Sequence, residues 1–258
     1  MEVLTGAATE DERARLEHRL VAITDVDEEF SAGRFAVIAR DEIDSLLADG
    51  RRPIVVGGTG LYLRTALAEI DLRPPVAASI REQIEREIGE RGPEAMHAEL
   101  DPDVAAATHP RDRKRIARAL ELQRAGLEPP PPGGGELWTA RLRHPTLLVG
   151  VVLDRDELGQ RIDRRVDAMV AAGAADEVRR ADAAGASRTV RAAIGFEEIL
   201  AGDVDAMKAA QRRYARRQLT WMRKMPGVQL VDRTGRDDAD VGEEIVGRLH
   251  GPCDTHPT

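Results

Sequence analysis

Apolar positions along the chain follow two spacings, one strand-like and one helical. The run Pro53-Ile54-Val55-Val56-Gly57-Gly58-Thr59-Gly60 reads as a short buried strand entering a glycine turn, and LYLRTALAEI after it has the three-and-four spacing of a helix. Leu147 to Leu153 is a second continuous apolar run, while His18 to Ile23 and Val228 to Val231 are weaker strand candidates. Buried strands alternating with helices predict a parallel sheet and the α/β class.

From about Pro74 to Gly126 the pattern becomes charged and helical, clearest in SIREQIEREIGERG and RKRIARALELQRAG. This predicts a helical insertion over residues 75–145 within a core made of 1–74 and 146–258. The insertion ends in EPPPPGGGELW, where Pro129 to Pro132 and Gly133 to Gly135 cannot continue a helix and should form an exposed loop. Further helices are expected in ELGQRIDRRVDAMVAAGAADEVRRADAAG and MKAAQRRYARRQLTWMRKM, then a short helix and a disordered end. No internal repeat occurs.

Charge narrows the partners. The 258 residues carry 38 Lys+Arg against 46 Asp+Glu, a formal charge of −8, so any nucleic-acid contact must be local. The single cysteine, Cys253, allows neither an intrachain disulfide nor a cysteine-based zinc site. No export signal or membrane-length apolar run is present, and a cytoplasmic location is expected. None of the three lysines follows a glycine, so no G-x-x-x-x-G-K-[ST] loop occurs, and H-E-x-x-H, G-x-S-x-G and C-x-x-C are absent too. The six histidines have no ligand-like spacing, and no metal ligand is assigned.

Three segments carry candidate chemistry. In Gly57-Gly58-Thr59-Gly60 the glycines admit a ligand to the backbone, and free amides with the Thr59 hydroxyl suit phosphate oxygens. The alternative is a tight turn that needs only positive φ. Arg111 to Arg118 holds five basic residues to one acidic, with Lys114, Arg115 and Arg118 on one helix face; solvated surface is the alternative. Arg212 to Lys224 has six basic residues and no acid, with Tyr214, Gln218 and Trp221 on one side. For those aromatics core packing is the favoured reading; for the arginines, phosphate pairing.

Taken in order, GGTGLYL (Gly57 to Leu63), HPRDRKRIARALEL (His109 to Leu122), RVDAMVAAGAADEV (Arg165 to Val178), AIGFEEI (Ala193 to Ile199) and RRQLTWMRK (Arg216 to Lys224) closely resemble the tRNA dimethylallyltransferases, over Met1 to about Asp232. The resemblance implies transfer of a dimethylallyl group from its diphosphate to the exocyclic nitrogen of the adenosine 3′ to the anticodon. It implies a P-loop-NTPase-like core, an insertion that grips the tRNA anticodon arm, Mg²⁺ as cofactor and no DNA partner.

Residue by residue, Thr59 with Gly57 and Gly58 matches the family's loop beside the diphosphate and target nucleotide. Arg81, Lys114, Arg115 and Arg118 match positions used against tRNA, and Arg212, Arg216, Arg217 and Gln218 match the basic helix beside the active site, so that all eight are expected to bind tRNA. Before AIGF, where the family often has arginine or glutamine, stands Ala192; Arg191, one residue upstream, is the candidate diphosphate clamp.

Met1 to Ala8 lines up with an internal family stretch, so the resemblance places the first strand, the P-loop and the aspartate base upstream of Met1. The expectation is a wrongly chosen start or a truncation point. Two rivals stand beside the transferase reading: a non-catalytic tRNA-binding relative, and a small-molecule nucleotide kinase.

Overall fold

The computed structural model describes residues 1–70, 73, 76–128 and 141–250. The Pro129 to Gly135 loop, Cys253 and the disordered end expected after the last helix lie outside the described residues. The chain divides into two compact units, one of Met1–Ala66 with His144–Thr258, the other of Leu67–Arg143.

The first unit opens with α1 (Glu2–Thr5), α2 (Glu10–Arg15), α3 (Ala32–Ala48) and α4 (Gly60–Leu67). Helix α3 starts where Ser31 Oγ accepts from the Arg34 amide, and it buries Ala36, Ala39 and Ile43 at helical spacing. The second unit holds α5 (Ala78–Arg91), α6 (Pro93–His97), α7 (Pro102–Ala107) and α8 (Arg113–Arg124). Its core is Ile84 and Ile88 from α5, Met96, Leu100, and Ile116 and Leu120 from α8. Asp112 caps α8 by accepting from the Arg115 amide, and an antiparallel bridge from Ala68 to Leu142 ties the two ends of the unit together.

The chain then returns to the first unit through β1 (Leu148–Val152), α9 (Arg155–Ala171), α10 (Ala174–Ala183), α11 (Arg188–Arg191), α12 (Phe196–Leu200), α13 (Val204–Lys224), β2 (Val228–Asp232) and α14 (Asp238–His250). β1 and β2 pair in parallel, Leu148 opposite Val228 through Val152 opposite Asp232. Parallel neighbours need a long crossover, which α9 to α13 supply. Those helices pack Val166, Met169, Val178, Phe196, Ile199 and Met207 around Leu4 of α1. Glu177 fastens α1 to this core by accepting from the amides of Val3 at 3.1 Å and Leu4 at 2.8 Å.

The expected α/β layout holds in part: the described residues are mostly helical, and their sheet has two parallel strands joined by a helical crossover. Residues 53–57 form no strand: Ile54 is 79% and Val56 88% exposed. A strand exists only with a neighbour to satisfy its amides and carbonyls, and among the described residues none pairs with this run. Residues 18–23 are not a strand either, since Leu20 and Ala22 take φ of 58° and 54°, in the left-handed region.

Candidate functional site

The glycine loop is built by what lies under it. Helix α4 is fixed to α3 by the Phe35 and Tyr62 rings, with centroids 5.1 Å apart, and by Arg40 Nε donating to the Thr65 carbonyl at 3.0 Å. That sets Thr59 at the head of α4 and lays the loop on one face of α13. A Cβ added at Gly58 would stand 1.7 Å from Gln218 Nε2, and one at Gly60 1.9 Å from Trp221 Cε3. None of Gly57, Gly58 and Gly60 takes positive φ, so the tight-turn reading fails. Gly58 and Gly60 are required because α13 side chains come too close for any other residue, whereas a Cβ at Gly57 would meet only Leu63 of α4, at 3.3 Å.

Thr59 Oγ1 and Tyr214 Oη share a hydrogen bond of 2.7 Å. The expectation that Tyr214 and Trp221 pack into the core is corrected: both are half-buried and close onto the loop. Spacing put them on one helix face with Gln218. The glycines on either side of Thr59 were the signal that something large must approach there, but they do not say what.

The rest of α13 divides by partner. Arg212 pairs with Asp163 of α9, and Lys208 Nζ lies 2.6 Å from Asp167. Toward the C-terminal end no carboxylate pairs with Arg213, Arg216, Arg217, Arg223 or Lys224 among the described residues. Arg217 stacks its guanidinium 5.4 Å from the Tyr214 ring centroid. Arg213 and Arg223 belong to the basic run whose arginines were expected to pair with phosphate, but neither matches a position that the family resemblance assigns.

Arg191 closes α11 and faces a different set of groups. It pairs with Asp182 of α10, lies 3.2 Å from Glu197 of α12, and stands 5.3 Å from the Phe196 ring centroid. Desolvation alone would lower its pKa; the two carboxylates outweigh it and raise the guanidinium further. A shallow cavity of about 290 Å³ brings Arg191 together with Arg213 and Arg217, and with Glu197 and Glu198.

The second unit carries its own basic group. Arg118 Nη1 lies 3.1 Å and Arg81 Nε 3.9 Å from the carboxylate of Glu121, which is 7% exposed. Arg115 reaches Asp112 at 3.4 Å, and Lys114 is exposed. The shared face expected for Lys114, Arg115 and Arg118 is thus uneven: the first two face solvent, and Arg118 turns back onto Glu121.

The described residues contain no group of three or more His, Cys, Asp or Glu placed to hold a metal. No such group marks a site for the implied Mg²⁺, which one or two carboxylates and substrate phosphates suffice to hold, and the roles assigned to this chain's residues do not depend on one. No helix among the described residues is long and apolar enough to cross a membrane.

The family profile described as IPP transferase matches residues 1–225. A tRNA dimethylallyltransferase of Streptomyces coelicolor is 38% identical over 258 residues, covering 91% of this chain and 80% of the relative. One from Acetivibrio thermocellus is 33% identical over 264 residues, covering 96% and 83%. Among solved structures, the full-length tRNA isopentenylpyrophosphate transferase of Bacillus halodurans superposes with a TM-score of 0.66 at 32% identity, covering 96% of this chain and 84% of that one.

Proposed function

The chain belongs to the IPP transferase family, and from that premise we propose that it is a tRNA dimethylallyltransferase acting on the adenosine 3′ to the anticodon. The observation that carries the reading is the locking of the glycine–threonine loop onto α13, whose C-terminal half holds arginines that no carboxylate among the described residues pairs with. In the transfer, the bond from C1 of the dimethylallyl group to its diphosphate oxygen breaks and the electron pair leaves with the diphosphate. The adenine N6 bonds to C1 and loses one proton. A leaving group that gains negative charge is stabilised by fixed donors and cations set around it.

Thr59, at the head of α4 beside Gly57 and Gly58, supplies a hydroxyl to that oxygen. Arg213 and Arg217 supply charge that no carboxylate among the described residues neutralises, to the diphosphate and to the RNA phosphates beside it, and Arg191 joins them at the diphosphate on exchanging Glu197 for it. Arg216 and Arg212 flank the RNA, with Gln218 behind the loop. Arg81, Lys114, Arg115 and Arg118 of the second unit meet the anticodon arm. A cytoplasmic location follows from that substrate.

The test is transfer from labelled dimethylallyl diphosphate to an anticodon stem-loop RNA carrying adenosine 3′ to the anticodon, with nucleosides analysed after digestion. Isopentenyladenosine that disappears when the target is changed to guanosine is the expected result. RNA binding without any transfer would replace this reading with that of a tRNA-binding relative, and ATP turnover without RNA with that of a nucleotide kinase.

A further inference from the structure

A threonine hydroxyl has a single hydrogen to give, and an unpartnered one rotates among three staggered positions. Thr59 is not unpartnered, because Tyr214 Oη lies 2.7 Å from its Oγ1. The phenol is the stronger acid of the two, so the favourable direction has Tyr214 donating to Thr59 and leaves the Thr59 hydrogen free for an acceptor. A hydroxyl that accepts one hydrogen bond also donates a stronger one, since the two bonds polarise each other.

The tyrosine is itself held. Its ring lies under the Arg217 guanidinium at 5.4 Å, and Gln218 and Trp221, on the same face of α13, close against Gly58 and Gly60 on either side of Thr59. The loop and the helix are thus in contact at three successive positions, and the hydroxyl pair is the middle one.

Resting on the transferase reading above, we propose that Tyr214 is a positioning residue, which holds the Thr59 hydrogen toward the diphosphate oxygen that gains charge as the C1–O bond breaks. Both side chains keep their protons throughout. The proton lost from N6 goes to a separate base or to solvent and not to either hydroxyl, and Tyr214 touches neither substrate.

The experiment is a double-mutant cycle with Tyr214→Phe, Thr59→Val and both together, read as single-turnover transfer to the anticodon stem-loop RNA. Losing a direct donor to a developing anion costs about 100-fold in rate, and losing the residue that orients it costs less, about 10-fold. In the double variant the rate equals that of Thr59→Val alone, and the KM for RNA is unchanged throughout. Additive losses, or a raised KM with unchanged kcat, would overturn the proposal, because Tyr214 would then be acting on the fold or on RNA binding.

A second readout does not need turnover. In protein labelled at the threonine methyls, Thr59 shows one side-chain rotamer by three-bond couplings in the wild type and an average of rotamers in Tyr214→Phe. An unchanged rotamer overturns the positioning claim. If the wild type transfers nothing while the rotamer still depends on Tyr214, the transferase reading falls and the hydroxyl pairing stands.

Discussion

Helices α8 and α13 are both rich in arginine, and they use it in opposite ways. On α8, Arg113 reaches Glu85 at 2.8 Å, Arg118 reaches Glu121, and Arg124 makes two bonds to Glu87. On α13 the first turns are paired, through Lys208 to Asp167 and Arg212 to Asp163, while the last three turns carry cations that no carboxylate among the described residues answers. In a chain with an excess of acid, leaving five such cations together is the costlier arrangement for the isolated protein, through their mutual repulsion. That cost is offset when a polyanion binds. The basic content of a helix therefore says little about recognition until the positions of the neighbouring acids are known.

The largest test of this contrast removes charge from α13. Replacing Arg213, Arg216 and Arg217 together by glutamine should weaken binding of an anticodon stem-loop RNA about 100-fold at 0.1 M salt. It should also flatten the dependence of log affinity on log salt by about two units, at roughly 0.7 per lost phosphate contact. A loss below threefold would place the RNA on some other surface and break the comparison.

Next comes the buried acid of the second unit. Glu121→Gln keeps the shape but removes the charge that Arg118 and Arg81 share. It should destabilise that unit by about 2 kcal/mol, less than a fully buried pair because each arginine side chain is 37% exposed. Denaturant titration monitored within the second unit measures this. An undiminished RNA affinity in the same variant would sharpen the contrast, since the arginines it frees can only add positive charge.

The Glu87 carboxyl gives a pH test. The side-chain bonds from Arg124, with Gln83 adding to them, push its pKa from 4.5 down to about 2. A carboxyl with a lowered folded pKa favours the folded state fully above its unfolded value, and the contribution fades as the pH falls from about 4.5 toward about 2. Wild type should therefore lose thermal stability over that window more steeply than Glu87→Gln. Parallel curves would mean that the pair contributes nothing.

The smallest effects belong to the exposed end of α8. Lys114→Ala and Arg115→Ala should each change stability by less than about 0.5 kcal/mol, as surface substitutions do. Each should lower RNA affinity by no more than about fivefold, the weight of one phosphate contact at 0.1 M salt. A larger loss at either would show that α8 matters as much as α13.

Much of the helical structure was legible in local spacing. The apolar positions of α5, α8, α9 and α13 recur at three and four residues, and Asp112, Asp154 and Asp203 stand where caps are needed. The pairing run at β1 was equally plain. The run at residues 53–57 looked the same in sequence and forms no strand, because an apolar run carries no record of which neighbour will complete its ladder. The site divides in the same way. Thr59 and the arginines could be named from the sequence, whereas Tyr214 was assigned to the core, since helical spacing gives a side chain's face but not what lies opposite.

By itself, then, the order of residues determined the helices, the family that the five segments share, and the concentration of basic groups in two stretches of an acidic chain. Each is a property of neighbours in sequence, or of their order. Only the tertiary structure decided that Glu121 takes up Arg118 while no carboxylate among the described residues pairs with Arg216 or Arg217, and that Gly58 and Gly60 make room for the side chains of α13. Ion pairs, close approaches and strand ladders join groups distant in sequence, and burial and distance, which set their strength, exist only once the chain has folded.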